Sequence, residues 1–193
     1  MKIFPFDKLI SCDLIIDAVY EGGNNGNVGD DPINKILPVG NQGGFRYAGS
    51  LDNLKYVILY TSGENIDWPD TIDSETGIFQ YYGDNKKPGH ELHDTKKNGN
   101  LILKNIFESL HSEVKPRVNI PPIFIFKKYP TINSNRSVQF KGLCVPGTNN
   151  KNQLEDLVDS QGNTASNLYG FRVGISGLYD RDGSSAGYYT NTL

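Results

Sequence analysis

The apolar residues of this chain fall into short segments bounded by Gly, Pro, Asn or Asp. Segments rich in Ile, Val, Phe and Tyr at this length are typical of β-strands. Five segments fit this description: "DLIIDAVY" (13–20), "YVILYT" (56–61), "GIFQYY" (77–82), "PIFIFKKY" (122–129) and "VQFKGLCV" (138–145). One further segment, "GNLILKNIFESLHSE" (99–113), has helical apolar spacing, and Asn98 or Asn100 can cap its start. The sequence therefore predicts an α+β fold that is mainly β with one or two helices, built as a curved sheet or barrel.

Two long Gly-rich loops separate these segments: "EGGNNGNVGDDP" (21–32) and "VGNQGGFRYAGS" (39–50). Glycine permits close approach of the backbone to a ligand, and long loops in a compact domain are often functional. After Pro146 the composition becomes polar. We therefore expect a domain over residues 1–150 and a polar C-terminal extension over 151–193, in which "NLYGFRVGISGLYD" (167–180) can add one strand.

Charge is unevenly distributed along the chain, although the net charge is only -3. Residues 84–142 carry 11 Lys and Arg against 5 Asp and Glu, a local charge of +6. Such a region can attract a polyanion, and it can equally be a solvated surface. We see no signal peptide and no membrane span, and two cysteines cannot form a disulfide framework. These features predict a cytoplasmic protein.

One stretch, "DWPDTIDSETGIFQYYGDNKKPGHELHD" (67–94), concentrates aromatic rings and carboxylates. Trp68 with Tyr81 or Tyr82 could sandwich a flat nucleobase, and each stacked base contributes roughly 1–3 kcal/mol. Asp70 or Asp73 could accept a hydrogen bond from the exocyclic amine of cytosine. The alternative is that these rings are ordinary core and cross-strand pairs.

Two other site types compete for the same stretch. Asp70, Asp84 and Lys86 match the PD-(D/E)xK pattern of Mg²⁺-dependent nucleases, but "GDNKKPG" has the chemistry of a turn rather than of a rigid strand. His90 and His93 lack the spacing of a zinc-binding helix, so we expect no metal site and no cofactor.

Three longer stretches resemble a known family. "GNVGDDPINKILPVGNQGGFRY", "YVILYTSGENIDWPDTIDSETGIFQYYGDNKKPGHELHDT" and "GNLILKNIFE" are similar to the N-terminal DNA-recognition domain of AspBHI-type modification-dependent restriction endonucleases. That domain is SRA-like (SET and RING associated), a curved β-barrel that flips 5-methylcytosine out of duplex DNA. The resemblance covers about residues 13–146.

The resemblance implies roles for particular residues. Trp68 and Tyr81 correspond to the two aromatic walls of the base pocket, and Asp70 to the acid on the base edge, with Asp73 as its rival. The whole predicted pocket is Trp68, Asp70, Asp73, Tyr81, Tyr82, Gly83 and Asp84. The predicted DNA groove loop is Asn41, Gln42, Gly43, Gly44 and Arg46, and the predicted phosphate contacts are Lys86, Lys87, Lys96 and Lys97.

The resemblance ends at about residue 150, where full-length relatives continue toward a nuclease domain. We therefore expect a DNA-binding module without catalysis, which reads 5-methylcytosine or 5-hydroxymethylcytosine in duplex DNA and works with a downstream or partner nuclease. A small Mg²⁺-dependent nuclease that uses Asp70, Asp84 and Lys86 remains the alternative.

Overall fold

A computed structural model describes residues 1–40, 42–85, 91–114, 117–147, 152–160, 163–171, 174–176 and 188–190. Its α-helices are α1 (Pro32–Ile36), α2 (Gly99–His111) and α3 (Gln153–Asp156). Its strands are β1 (Ile3–Phe4), β2 (Val19–Tyr20), β3 (Phe45–Ser50), β4 (Asn53–Thr61), β5 (Thr71–Ile72), β6 (Ile78–Tyr82), β7 (Ile123–Lys128), β8 (Val138–Pro146), β9 (Leu157–Ser160), β10 (Asn163–Phe171), β11 (Gly174–Ser176) and β12 (Tyr188–Thr190). Short 3-10 helices lie at Phe6–Ser11, Val28–Asp30 and Arg117–Asn119.

Ten of these strands form one mixed sheet in the order β3-β4-β7-β8-β10-β6-β5, with β1, β2 and β9 joined at its side. The β4–β7 pair is parallel, and the other pairs along this path are antiparallel. Within the described strands the path is open, since β3 and β5 lie at its two ends. The predicted class, mainly β with helices, is confirmed, and the sheet formed by the described strands does not close into a complete barrel.

Both faces of the central strands are buried. Along β4, Tyr56 and Ile58 pack into one core cluster, whereas Val57 and Leu59 pack into another. Because side chains alternate across a strand, the two clusters lie on opposite faces of the sheet. The N-terminal segment and α1 cover the first face, and α2 covers the second. This double cover explains why β4 and β7 read as nearly continuous apolar runs in the sequence.

The predicted elements correspond to the observed ones with clear exceptions. Helix α2 and strands β4, β6, β7 and β8 lie where the sequence predicts them. The segment 13–20 is a strand only at Val19–Tyr20. Strand β3 lies in a stretch that the sequence predicts as loop. The register of its pairing with β4 shifts between Ala48 and Gly49.

The C-terminal segment contributes more to the sheet than the sequence suggests. We expected room for one added strand after residue 150, and the structure has β9 to β12 there. β10 lies inside the main sheet, between β8 and β6. In the part of the chain that is described, no helix is long and apolar enough to cross a membrane.

Candidate nucleic-acid interface

A small cavity of about 120 Å³ opens where β4 and β6 end and β3 begins. Its lining comes from three separate parts of the chain: Gly44, Tyr60, Ser62, Asn65, Trp68, Asp70, Tyr81, Tyr82 and Gly83. The structure thus brings together one residue of the predicted groove loop and five residues of the predicted base pocket. Its lining combines aromatic rings, a carboxylate and small polar side chains, which suits a flat ligand with polar edges.

The loop between β4 and β5 holds Trp68 at this cavity through side-chain turns. Asn65 Oδ1 accepts hydrogen bonds from the backbone N–H groups of Asp67 (3.1 Å) and Trp68 (3.2 Å). The same loop is tied to β7, because the Lys128 ammonium contacts the Glu64 carboxylate at 2.9 Å. Short polar side chains therefore fix the path of a loop that has no regular secondary structure.

The structure argues against one of the two predicted ring pairs, Trp68 with Tyr82, as a sandwich. The Trp68 and Tyr82 ring centroids are 5.5 Å apart at an angle of 48°, a direct contact between rings. A base has no room between two rings at that separation, so Trp68 and Tyr82 together form one side of the cavity. Tyr81 is 3% exposed and packs against Phe79, with its edge at the cavity.

Tyr81 remains a neutral phenol at ordinary pH. Burial, together with the negative charges of Asp70 and Asp84, raises the pKa of Tyr81 well above its usual value. Its hydroxyl therefore keeps its proton.

The structure separates the two rival carboxylates. Asp70 lines the cavity, and its Oδ1 accepts a hydrogen bond from the backbone N–H of Tyr82 at 2.9 Å. Asp73 lies in the turn of the β5–β6 hairpin and lines a different cavity. Its carboxylate accepts from the backbone N–H of Glu75 and from the hydroxyl of Thr76, and these bonds lower the pKa of Asp73. Of the two carboxylates, Asp70 is therefore the one that lines the candidate base cavity.

Asp84 belongs to the start of helix α2 rather than to the cavity lining. Its two carboxylate oxygens accept from the backbone N–H groups of Gly99 and Asn100, each at 3.1 Å. In return, Asn100 Oδ1 accepts from the backbone N–H of Asp84 at 2.9 Å. These bonds satisfy N–H groups that a helix start leaves without intrahelical partners.

The capping role of Asp84 weakens the nuclease alternative. Both oxygens that would bind Mg²⁺ already accept hydrogen bonds, and Lys86 lies outside the described residues together with Lys87 and His90. Among the described residues, no group of three or more His, Cys, Asp and Glu side chains could hold a metal ion.

The predicted groove loop approaches the cavity through Gly44. A Cβ atom at this position would lie 3.2 Å from the carbonyl oxygen of Tyr60 and 3.3 Å from the Tyr81 hydroxyl, so a side chain would crowd the cavity wall. Gln42 is half-buried, and its amide donates to the carbonyl of Val28. The Lys97 ammonium donates to the carbonyl of Gln42, and it also lies against Gly43. Asn41 is outside the described residues.

The Arg46 side chain is buried and forms an ion pair. Its side chain is 5% exposed, with Nη1 at 2.7 Å from the Asp31 carboxylate and Nε donating to the carbonyl of Gly43 at 2.9 Å. The guanidinium also lies 5.8 Å from the centre of the Tyr60 ring. In this position Arg46 links Asp31 to the backbone of the predicted groove loop at Gly43.

Sequence reasoning missed three residues that line the cavity: Tyr60, Ser62 and Asn65. Tyr60 follows the alternation of Tyr56 and Ile58 along β4, which marks it as a core residue. Burial raises the pKa of Tyr60, although Lys128 and Arg46 partly offset this effect. Its position in the sequence could have indicated that it lines the cavity, because Tyr60 is the last aromatic residue before the polar loop that carries Trp68.

Comparison with known proteins assigns the chain to a family. The family model described as restriction endonuclease AspBHI N-terminal matches residues 14–173. The chain belongs to that family. The match is to the N-terminal part of a restriction endonuclease, and it extends beyond residue 150 through β10. No curated protein matches the chain.

Two solved structures are similar over most of both chains. One is the DNA recognition domain of the cytosine modification-dependent restriction endonuclease LpnPI, at 49% identity and a TM-score of 0.86, covering 91% of this chain and 82% of that one. The other is the DNA modification-dependent restriction endonuclease AspBHI, at 37% identity and a TM-score of 0.77, covering 86% and 80%.

A third structure shares the fold at lower identity. It is the MspJI restriction endonuclease in complex with a 27-mer oligonucleotide, at 16% identity and a TM-score of 0.53, covering 83% of this chain and 41% of that one. The fold predicted from the sequence therefore recurs in restriction endonucleases.

Proposed function

We propose that this chain is a DNA-recognition module that binds 5-methylcytosine, or 5-hydroxymethylcytosine, after flipping it out of duplex DNA. The observation that carries the proposal is the cavity in which Gly44, Trp68, Asp70, Tyr81 and Tyr82 meet. Membership of the AspBHI N-terminal family supports it, as does similarity to a domain named for DNA recognition.

The chemistry of the cavity fits one edge and one face of cytosine. The Asp70 carboxylate, oriented by its bond to the Tyr82 N–H, accepts from the exocyclic amine of the base. The rings of Trp68 and Tyr82 stack on one face of the base, and Tyr60 and Tyr81 complete the cavity. Unstacking a base costs a few kcal/mol, which stacking, edge hydrogen bonds and phosphate contacts offset.

The remaining parts of the interface lie around the cavity. In the proposal, Gln42 occupies the space that the base has left, and Lys86, Lys87 and Lys96 contact phosphates. Lys96 is exposed, as a phosphate contact requires. The proposal further includes a cytoplasmic location and a nuclease domain or partner nuclease that acts where this module binds.

A binding panel tests the proposal. The chain is titrated against one duplex sequence that carries cytosine, 5-methylcytosine, 5-hydroxymethylcytosine or glucosylated cytosine at a single position. We expect tighter binding to the methylated or hydroxymethylated duplex than to the plain one. A 2-aminopurine placed beside the target base should brighten on binding to the preferred duplex, because flipping unstacks its neighbour.

Equal affinity for all four duplexes would refute the proposal. Incubation with plasmid DNA and Mg²⁺ addresses the nuclease alternative, and we expect no cleavage. Cleavage that disappears in Asp70→Asn would establish the alternative instead.

A further inference from the structure

A second cavity lies beside the base cavity and shares Tyr60 with it. Its volume is about 230 Å³, and polar side chains of three loops line it, including Gln42, Asn135 and Arg136. The buried Arg46–Asp31 ion pair lies in the same lining. Because Tyr60 borders both cavities and Gln42 and Gly44 belong to one loop, the groove loop runs between the two cavities.

The loop that carries Asn135 and Arg136 connects β7 to β8, and a buried polar network holds it in place. The Glu21 carboxylate, in a residue that is 8% exposed, accepts from the Thr131 hydroxyl at 3.1 Å and from the Asn133 amide at 2.9 Å. The Ser134 hydroxyl donates to the carbonyl of Gly23. A surface loop with this much internal bonding keeps its shape before a ligand arrives, which lowers the entropic cost of binding.

Arg136 is positioned at the rim of the second cavity. Its Nη1 donates to the carbonyl of Asn27 and lies 3.8 Å from the Asp30 carboxylate, while its side chain stays 46% exposed. A Cβ atom on Gly22 would lie 2.6 Å from the Arg136 Cβ, so the residue 22 backbone packs directly against this side chain. Both polar contacts use Nη1, which leaves Nε and Nη2 without a partner among the described residues.

The donors and acceptors around this cavity match the edges of bases. Arg is the most common partner of the guanine O6/N7 edge, and Asn and Gln pair with the adenine N6/N7 edge. Here one exposed guanidinium is accompanied by the two neutral amides of Gln42 and Asn135, and the Arg46 charge is already paired with Asp31. The same side chains can also contact phosphate oxygens, but such contacts carry no sequence information, so the experiment must separate the two.

We propose that the second cavity, with the 131–136 loop, reads the base pairs that flank the flipped cytosine and sets a flanking-sequence preference. Arg136 and Asn135 are the specificity-determining residues. This inference rests on the proposed function, since it requires the neighbouring cavity to hold the modified base.

Selection from a duplex library tests the inference. Each duplex carries one 5-methylcytosine at a fixed position with three random base pairs on each side, and bound duplexes are sequenced for wild type, Arg136→Gln and Asn135→Ala. Lys8→Gln serves as the control, because Lys8 is exposed and lines neither cavity. Each variant's melting temperature is measured alongside.

We expect wild type and Lys8→Gln to enrich the same flanking bases, and the two cavity variants to lose on the order of tenfold of that enrichment at one or two positions. All variants should still prefer the methylated over the plain duplex. An unchanged profile in Asn135→Ala and Arg136→Gln would overturn the inference, as would a uniform loss of affinity in Arg136→Gln, which indicates a phosphate contact. A wild type that ignores methylation would instead refute the proposed function.

Discussion

Asp70 and Asp73 are three positions apart, yet they serve different parts of the molecule. The β5–β6 pairing places Thr71 opposite Gln80 and Ile72 opposite Phe79. Asp70 therefore lies before the hairpin, beside Tyr82, whereas Asp73 starts its turn. The sequence could not choose between them, because the choice depends on a strand of two residues and its register.

Replacing each acid by alanine separates the two roles. Asp70→Ala should weaken binding to methylated duplex by about 1–3 kcal/mol, since the exocyclic amine of the flipped base then lacks its acceptor. Asp73→Ala should leave methyl preference intact and lower only the free energy of unfolding, because it removes turn hydrogen bonds. Fluorescence anisotropy and urea denaturation measure the two quantities. Loss of methyl preference in Asp73→Ala with retention in Asp70→Ala would reverse the assignment.

The residue types predicted which side chains meet at the candidate site better than they predicted how those side chains are arranged. Trp68, Asp70, Tyr81 and Tyr82 meet at one cavity as the sequence suggests. The direct contact between Trp68 and Tyr82 and the burial of Arg46 depend on side-chain packing between distant segments, which spacing along the chain does not encode.

The N-terminus of helix α2 is capped by a residue that lies well before the helix in the sequence. Its N-cap residue, Asn98, has a left-handed backbone with φ of 54° and makes no side-chain capping bond. The Asp84 carboxylate supplies the missing acceptors for Gly99 and Asn100. The sequence predicts the helix and offers Asn98 or Asn100 as its cap, and the true cap is visible only once the chain is folded.

Removal of this cap gives a stability prediction. Asp84→Ala should lower the free energy of unfolding by about 1 kcal/mol, the usual cost of losing a side-chain cap. Asp94→Ala, at an exposed position nearby, should change it by less than about 0.5 kcal/mol. Urea denaturation measures both. Equal free energies of unfolding for the two variants would show that the Asp84 hydrogen bonds make no net contribution to stability.

The lysine pair before α2 allows a second test at this end of the helix. Lys96 is exposed, whereas the Lys97 ammonium donates to the carbonyl of Gln42. Lys96→Gln should weaken binding to methylated and plain duplexes equally and reduce the salt dependence of log K by about 1, as loss of one phosphate contact does.

Lys97→Met keeps the aliphatic stem but releases the groove loop, so it should reduce 2-aminopurine brightening more than Lys96→Gln does. Titrations at several salt concentrations measure the first effect and steady-state fluorescence the second. Identical behaviour of both variants would contradict separate roles for the two lysines.

For the complete molecule, the main surprise is the place of β10. Long apolar segments predict β4, β7 and β8 from the sequence. The sequence of β10, "NTASNLYGF", is instead polar and contains Gly. It forms a strand because it pairs with β6 and β8, not because of its own composition. Contacts with the rest of the fold therefore make β10 a strand, although the sequence predicts a polar extension over this region.

Truncation tests whether residues 1–150 are a domain on their own. Without β10, β8 and β6 lose the strand that joins them, so a chain ending at residue 150 should lose its cooperative urea transition. A chain ending at residue 176 retains β9 and β10 and should unfold cooperatively. A sharp transition in the shorter chain, with methyl preference retained, would support the boundary at residue 150.

The position of β10 also has a consequence for synthesis. Tyr81 and Tyr82 stand opposite Ser166 and Ala165 of a strand that follows them by more than 80 residues in the chain. Until that strand has left the ribosome, the two-residue β5 is the one partner that β6 has among the described strands. A nascent chain therefore carries every side chain of the cavity before β10 is available to pair with β6, and we expect the cavity to take its final shape only after β10 has been made.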